Sequence, residues 1–407
     1  ADRSKEQTQI LLNYYLNNND QQYPKLQKAL GELEKEKAAI EARSAVTHVQ
    51  VEKQDSQAMA YILMRGEYDK KGEQVSAATP ASLHPFADDL PNNRMGLAKW
   101  IVDPANPLTL RVTVNRFWQE IFGRGIVTTP EDFGVMGADP SHPELLDWLA
   151  LEFRDSGWDV QKLFKLMLTS ATYRQAATVT KEKIVLDRDN VLLSRGPRFR
   201  MDAEMVRDYA LSVSGLLSRK MYGPGTKPYQ PTGIWDVVGL PSGNTRNYVQ
   251  DKGENLYRRT VYHFWKRMAP PPNMEAFNAP SREYCAVSRE RTNTPLQALI
   301  TLNDPQFVEA ARKLAELALI ETDGSDQAMI DFVTDRALSR ALKDRELEIV
   351  QSSKQHLHEY YQAHADDAKS LLAVGESKVD ESMDDVTLAT WTMVCNQILN
   401  LDEVLNK

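Results

Sequence analysis

The chain has 407 residues, 42% hydrophobic and 26% charged, with a formal charge of −8. That length and composition supply enough apolar surface for a large core and exclude a disordered or collagen-like chain. The acidic balance argues against general binding to nucleic acid, which needs a basic face to displace counterions from phosphates.

No run approaches the ~18 apolar residues that cross a bilayer, so no membrane span is expected. The opening ADRSKEQTQ lacks the apolar centre of a signal peptide. Because it opens on Ala and not Met, the chain reads as a processed form or an excised segment. There is no CxxC, CxxCH, HExxH, GxxxxGK[ST], GxGxxG or GxSxG, which removes the commonest zinc, c-type haem, nucleotide and serine-hydrolase readings. No metal site and no cofactor of its own is expected in this chain. Cys285 and Cys395 are the only cysteines, and the sequence leaves open whether they pair.

In chain order, residues 5 to 16 and 24 to 43 read as two helices around NNND. In the second, Leu26, Leu30, Leu33, Lys37 and Ile40 alternate spacings of four and three, the pattern of a coiled-coil seam, so residues 1–44 are predicted to form a helical hairpin serving as a spacer or docking arm. Residues 45–90 form a small β or linker segment, with two or three strands expected between 45 and 80 around the Gly66 break. From residue 91 to 407 the pattern is mainly helical. Gly123 is placed to close a helix in the left-handed conformation, and Ser141 with Glu144 has the spacing of a capping box. Asp159 and Asp202 stand where N-caps are needed, and Thr294–Pro295 and Asp304–Pro305 open two more helices. The expected fold is therefore mainly α: a multi-helix body with a small β element and a long irregular segment rich in Pro and Arg.

That segment, 221–295, holds nine of the twenty prolines and one predicted strand, YRRTVYHFW. Between Arg258 and Arg291 it carries seven basic residues against three acids, a local excess of positive charge in an acidic protein. Guanidinium groups hold carboxylates, phosphates and sulfates through paired hydrogen bonds, so Arg258, Lys266, Arg282, Arg289 and Arg291 are candidate ligand-binding residues, with Trp235 and Trp265 as a candidate wall. Two readings stay open. The arginines gather as an anion site, or they pair with the final 87 residues, where eighteen Asp and Glu face eight Lys and Arg.

Three residues are candidates for catalysis. Cys285 lies between Arg282 and Arg289, which would favour a thiolate. Asp132 and His142 stand in an acid-rich stretch, TTPEDFGVMGADPSHPELLDW, where a carboxylate and a histidine could act as acid and base. Each has a structural alternative: a buried thiol, a first helical turn, a cap.

The stretches NRMGLAKWIVDPANPLTLRVTVNRFWQEIFGRGIV, TPEDFGVMGADPSHPELLDWLALEFRDSGWDVQKLFKLMLTSATYRQ, YRRTVYHFWKRMAPPPNMEAFNAPSREYCAVSRERTNTPLQALITLNDPQFVEAA and WTMVCNQILNLDE resemble a C-terminal domain of unknown function found in large planctomycete-type surface proteins. The resemblance runs from about residue 45 onward; DSQAMAYILMRGEYD lacks the proline-arginine lead-in of that family. It implies an extracytoplasmic module beside a planctomycete cytochrome c domain, so that haem c belongs to a separate domain of the full-length protein. It carries over no catalytic residue. It implies as partners an anionic polysaccharide, sulfated or acidic, or the haem propionates of the cytochrome domain. The alternatives are a redox enzyme or glycan-acting hydrolase built on Asp132, His142 and Cys285, and an architectural surface protein.

Overall fold

In the computed structural model, residues 3–44, 46–51, 53, 59–236 and 246–406 are described. The expectations for QDSQA at 54–58 and for residues 237–245 of the irregular segment lie outside them. The chain divides into two compact units, Ala1–Thr79 and Pro80–Lys407.

The first unit contains α1 (Lys5–Asn18) and α2 (Tyr23–Arg43), then β1 (Ala60–Leu63) and β2 (Lys71–Val75). Ser4 and Gln7 form a reciprocal capping box that starts α1. In the turn before α2, the Asp20 carboxylate accepts from the Gln22 and Tyr23 N–H groups at 2.7 and 2.8 Å. The apolar row expected to be a seam is not closed: Leu26, Leu30 and Leu33 are 64, 56 and 62% exposed. The two strands pair antiparallel, Ala60 opposite Val75 and Tyr61 opposite Gln74, around a turn in which Arg65 and Gly66 take positive φ.

The second unit is helical. Its helices are α3 (Arg94–Ile101), α4 (Thr109–Phe122), α5 (Pro143–Asp155), α6 (Val160–Thr169), α7 (Lys181–Leu186), α8 (Ala203–Val213), α9 (Pro272–Glu275), α10 (Pro295–Asn303), α11 (Pro305–Glu321), α12 (Asp326–Leu338), α13 (Asp344–Ala363), α14 (Ala365–Leu372), α15 (Asp385–Leu399) and α16 (Asp402–Leu405). Among the described residues the fold is thus mainly α with one two-stranded sheet.

Three clusters make the core. One joins α4, α5 and α6 through Val114, Trp118, Leu149, Phe153 and Leu163. The largest packs α11 against α15 with α12 and α14 around them; Ala311, Ala315 and Ala318 present no bulk, so α11 can approach Leu388, Trp391 and Cys395 closely. The third seats α8 and α9 on α11 through Val206, Met274, Phe277 and Phe307.

Most expected punctuation is present. Gly123 takes φ +79 at the end of α4, Asp159 accepts from Lys162 N–H at 2.9 Å, and Asp304 accepts from Gln306 N–H at 2.9 Å with Pro305 following. The Ser141 capping box is a correction. Helix α5 begins one residue later, with His142 at the cap making no side-chain cap bond, because Ser141 is tied instead to the Ile126 carbonyl through its N–H at 2.9 Å. Asp202 holds the cap position of α8 without capping it, its carboxylate turned to arginines.

YRRTVYHFW is also a correction. It begins at the end of one 3₁₀ turn, Gly253–Tyr257, contains a second, Thr260–Tyr262, and pairs in β fashion only through isolated bridges such as Thr226 with His263. A strand needs a continuous ladder, and the neighbouring chain carries Pro224 and Pro228, which have no N–H to give.

Candidate functional site

An irregular segment still has to satisfy its carbonyls. Here buried side chains of the helices do it. Arg207 on α8 is 1% exposed and donates to the Leu256 carbonyl at 2.6 Å, the Arg258 carbonyl at 2.9 Å and Thr260 Oγ1 at 3.1 Å, and also to Gln306. Burial pushes this guanidinium down to about 10, against the pull of Asp208 and Asp304, so it stays charged at neutral pH. Next to it Asp208 accepts from the N–H and hydroxyl of Thr260 at 2.8 and 2.6 Å. On α11, Glu309 accepts from the phenols of Tyr257 at 2.8 Å and Tyr229 at 3.0 Å.

Against that frame the predicted patch comes apart. Arg258 is 2% exposed; its guanidinium donates to the carbonyls of Pro224, Lys220 and Tyr222 and lies 3.9 Å from the centre of the Tyr262 ring. It braces the loop and presents nothing to solvent. Arg289 donates to Glu204 at 2.6 Å and lies 3.6 Å from Asp202. Burial works against its charge, but the bond to Glu204 and the fields of Glu204, Asp202 and Glu120 outweigh it and hold the guanidinium above its usual value. Arg291 reaches Asp202 at 3.7 Å and Glu120 at 4.0 Å, donates to the Gly123 carbonyl at 2.9 Å, and lies 4.3 Å from the Phe199 ring centre. Burial, then Asp202, raises Glu120 above the usual carboxylate range, and the arginines only partly offset this.

These two arginines do pair with acids, yet the acids belong to α4 and α8 and not to the acidic C-terminal helices. There, Arg340 takes Glu346 and Glu403.

Arg282 differs. It is exposed, takes φ +62, and lies 4.8 Å from the centre of the Trp265 ring. Among the described residues it has no ion pair and no hydrogen-bond acceptor. Trp265 is fixed in turn: its Nε1 donates to the Ser281 carbonyl at 3.2 Å, and Arg267 meets Glu283 at 3.6 Å. Two loop stretches, 265–267 and 281–283, are thereby stapled into one platform on which Arg282 is exposed.

On the other side of the chain, Lys266 and Lys227 lie 4.5 and 5.9 Å from the centre of the Trp235 ring. Trp235 is 1% exposed and packs on Tyr248 and Phe264. It is an interior support, not the open wall expected of it. Behind the platform His263 is 3% exposed, with no hydrogen-bond partner at either ring nitrogen among the described residues. Burial, then the charges of Arg207 and Arg282, pushes its pKa down to about 3.

The catalytic candidates do not gather. The Asp132 carboxylate accepts from Gly134 N–H at 2.7 Å in a tight turn. Cys285 is exposed and free, while Cys395 is buried on α15, so no disulfide joins them. His142 Nδ1 meets Ser141 Oγ at 3.0 Å. Of the three, His142 alone lines a cleft of ≈ 160 Å³ between the Gly123–Ile126 turn and the Asp189–Phe199 loop. A larger groove, ≈ 350 Å³, runs between α5 and α6 along Phe153, Leu163 and Leu166 and contains none of the predicted residues. Among the described residues no group of three or more His, Cys, Asp or Glu is placed to hold a metal.

Apart from Gly123, Ser141 and His142, the cleft walls were not singled out from sequence. Arg124 stands between Gly123 and Gly125, and Asp189 lies just past α7. The GRG turn is the one sequence signal that marks them, since flanking glycines let backbone pack closely while the arginine projects.

The fold defines a helical domain whose irregular segment is carried on α8 and α11. Residues 93–353 match the family model described as PSD1, protein of unknown function (DUF1553), and the chain belongs to that family. The matched stretch is shorter than the resemblance that runs from about residue 45. No curated protein and no solved structure matches the chain.

Proposed function

We propose that the chain is an extracytoplasmic binding module that holds an anionic polysaccharide, acidic or sulfated, at the Trp265–Arg282 platform, and that it works beside a haem c domain of the full-length protein. The observation that carries this reading is Arg282, an exposed guanidinium held over an indole with no acceptor of its own among the described residues. A stacked arginine keeps its fork of donors in one plane, which favours a carboxylate or sulfate over a point-like partner. Of the five cations expected to share the role, Arg258, Arg289 and Arg291 support the loops and Lys266 lies over the buried Trp235 ring, which leaves recognition to Arg282.

Retention on an immobilised sulfated polysaccharide tests this. Arg282→Ala should elute at clearly lower salt than the parent chain at low ionic strength, where charges act across about 10 Å or more, with unfolding unchanged. Equal elution of the two proteins would sink the reading. Loss of retention on a cytochrome c domain, with retention on the polysaccharide unchanged, would move the partner to the haem propionates.

A further inference from the structure

The cleft between the Gly123–Ile126 turn and the Asp189–Phe199 loop plays no part in that reading. We propose that it is a second binding site, for a small hydroxylated acid of single-ring size such as a free sugar acid.

Size comes first. At ≈ 160 Å³ the cleft falls below the ~300 Å³ of pockets for drug-sized ligands. One ring fits; a chain of sugars does not.

Charge gives the chemistry. Two arginines line the cleft, but Arg198 already pairs with Asp402. Arg124 is exposed and, among the described residues, has neither an ion pair nor a hydrogen-bond acceptor, so its positive charge is unspent. Asp189 lines the same cleft with its carboxylate equally unspent. Arg124 can take a ligand carboxylate through two parallel hydrogen bonds. Asp189 accepts and would repel a bare inorganic anion, so it calls for a donor on the ligand, which a hydroxyl provides. His142 spends Nδ1 on Ser141, leaving Nε2 for another hydroxyl.

The walls are set in advance of any ligand. Asn115 clamps Val127 through two bonds, 2.9 and 2.8 Å, and Arg291 ties the Gly123 carbonyl to the Phe199 ring. A Cβ on Gly123 would stand 2.5 Å from Phe199 Cδ1, and one on Gly125 would stand 2.4 Å from the Val127 carbonyl oxygen, so turn and wall are in close contact. A site that does not reorganise loses little affinity to ordering.

Calorimetric titration with glucuronate, glucose and sodium sulfate tests the assignment, using the full chain and the variants Arg124→Ala, Asp189→Asn and Arg282→Ala. The expected result is saturable glucuronate binding, at least tenfold weaker in Arg124→Ala, several-fold weaker in Asp189→Asn and unchanged in Arg282→Ala, with glucose much weaker and sulfate silent. Arg124 holds no partner among the described residues, so its variant should unfold like the parent, which removes misfolding as an explanation. No glucuronate binding, or binding indifferent to Arg124, overturns the proposal. Equal binding of sulfate overturns the role of Asp189 and with it the ligand class. Sensitivity to Arg282 in place of Arg124 would transfer the ligand to the platform and leave the cleft unassigned.

Discussion

Arg291 lies 4.3 Å from the centre of the Phe199 ring while donating to the Gly123 carbonyl at 2.9 Å. A residue that reads from sequence as part of an exposed cationic patch is thus a brace between the end of α4 and the loop before α8. Its acid, Asp202, is largely buried, so removing the arginine leaves that carboxylate with Arg289 alone, 3.6 Å away. Arg291→Ala should cost about 3 kcal/mol in urea unfolding, the low end for breaking a buried pair. Arg291→Lys should recover only part of that, because a lysine keeps the charge but neither the fork nor the stacking plane. Arg282→Ala, at an exposed site, should stay within about 0.5 kcal/mol of the parent. Equal effects at the two positions would contradict the division of roles.

Gly123 joins the same brace from the other side. It takes φ +79, and a Cβ there would meet Phe199 Cδ1 at 2.5 Å. Gly123→Ala should cost more than the ~1–2 kcal/mol of the left-handed conformation alone. The excess is the clash, so shortening the ring should relieve it. In a double-mutant cycle with Phe199→Leu the two losses should fall short of additive by about 1 kcal/mol or more. Strict additivity would mean that the turn and the ring do not press on each other.

The helices were legible because their signals are local. Gly123, Asp159 and Asp304 act within a few residues of themselves, and each stands where it was expected. The arginines were not, since their roles depend on which groups the fold brings within 4 Å. Arg258 finds three carbonyls 34 to 38 positions upstream, and Arg289 finds Glu204 85 positions away. Nothing near Arg282 in sequence distinguishes it from Arg289. Ser141 failed as a cap for a related reason: Ile126, fifteen residues back, competes for it. The family, in contrast, was readable from long contiguous stretches, which carry no information about which cations are spent.

His263 predicts a pH dependence with a definite sign. Burial, then the charges of Arg207 and Arg282, pushes its pKa down to about 3, whereas in the unfolded chain it titrates near 6.5. Above pH ~6.5 it is neutral in both states and its contribution to stability is fully present. As pH falls from ~6.5 toward 3 the unfolded chain takes up a proton that the folded chain refuses, and stability drops by about 1.4 kcal/mol per pH unit. His263→Phe should remove that slope, and should also raise stability at neutral pH by freeing the fold of two unsatisfied nitrogens. Urea unfolding of both proteins at pH 7, 6 and 5 gives the difference. Parallel curves would place a proton acceptor or donor on His263 in the folded state.

The two thiols should separate cleanly by reactivity. Cys285 is exposed, and Cys395 is buried on α15, where burial pushes its thiol well above the usual range. A thiolate is the reacting species, so a buried, protonated thiol waits for unfolding. A disulfide-exchange reagent should therefore titrate one thiol in the native protein and two in urea. Cys285→Ser should leave none reactive under native conditions; a remaining fast thiol would mean that α15 opens far more readily than its packing implies.

Arg207 makes the strongest claim about how the irregular segment is held. Its donors reach the Leu256 and Arg258 carbonyls, Thr260 and Gln306, all away from solvent. Arg207→Met keeps the apolar stem and strips those donors, so several buried acceptors lose their partners at about 1–3 kcal/mol each. The helices have their own cores and do not need this arginine to form; residues 246–265 hang on scattered bonds, such as Thr260 N–H to Asp208 and Phe264 N–H to the Thr226 carbonyl, and lose a buried group of them with Arg207. Limited proteolysis should therefore cut the variant first within 246–265, at protease levels that leave the parent intact, while far-ultraviolet dichroism stays mostly helical. If the variant instead unfolds as a whole, α8 and the segment form one cooperative unit with the α11–α15 core. If its cleavage pattern matches that of the parent, the tyrosine bonds to Glu309 are enough to hold the segment and Arg207 is not its anchor.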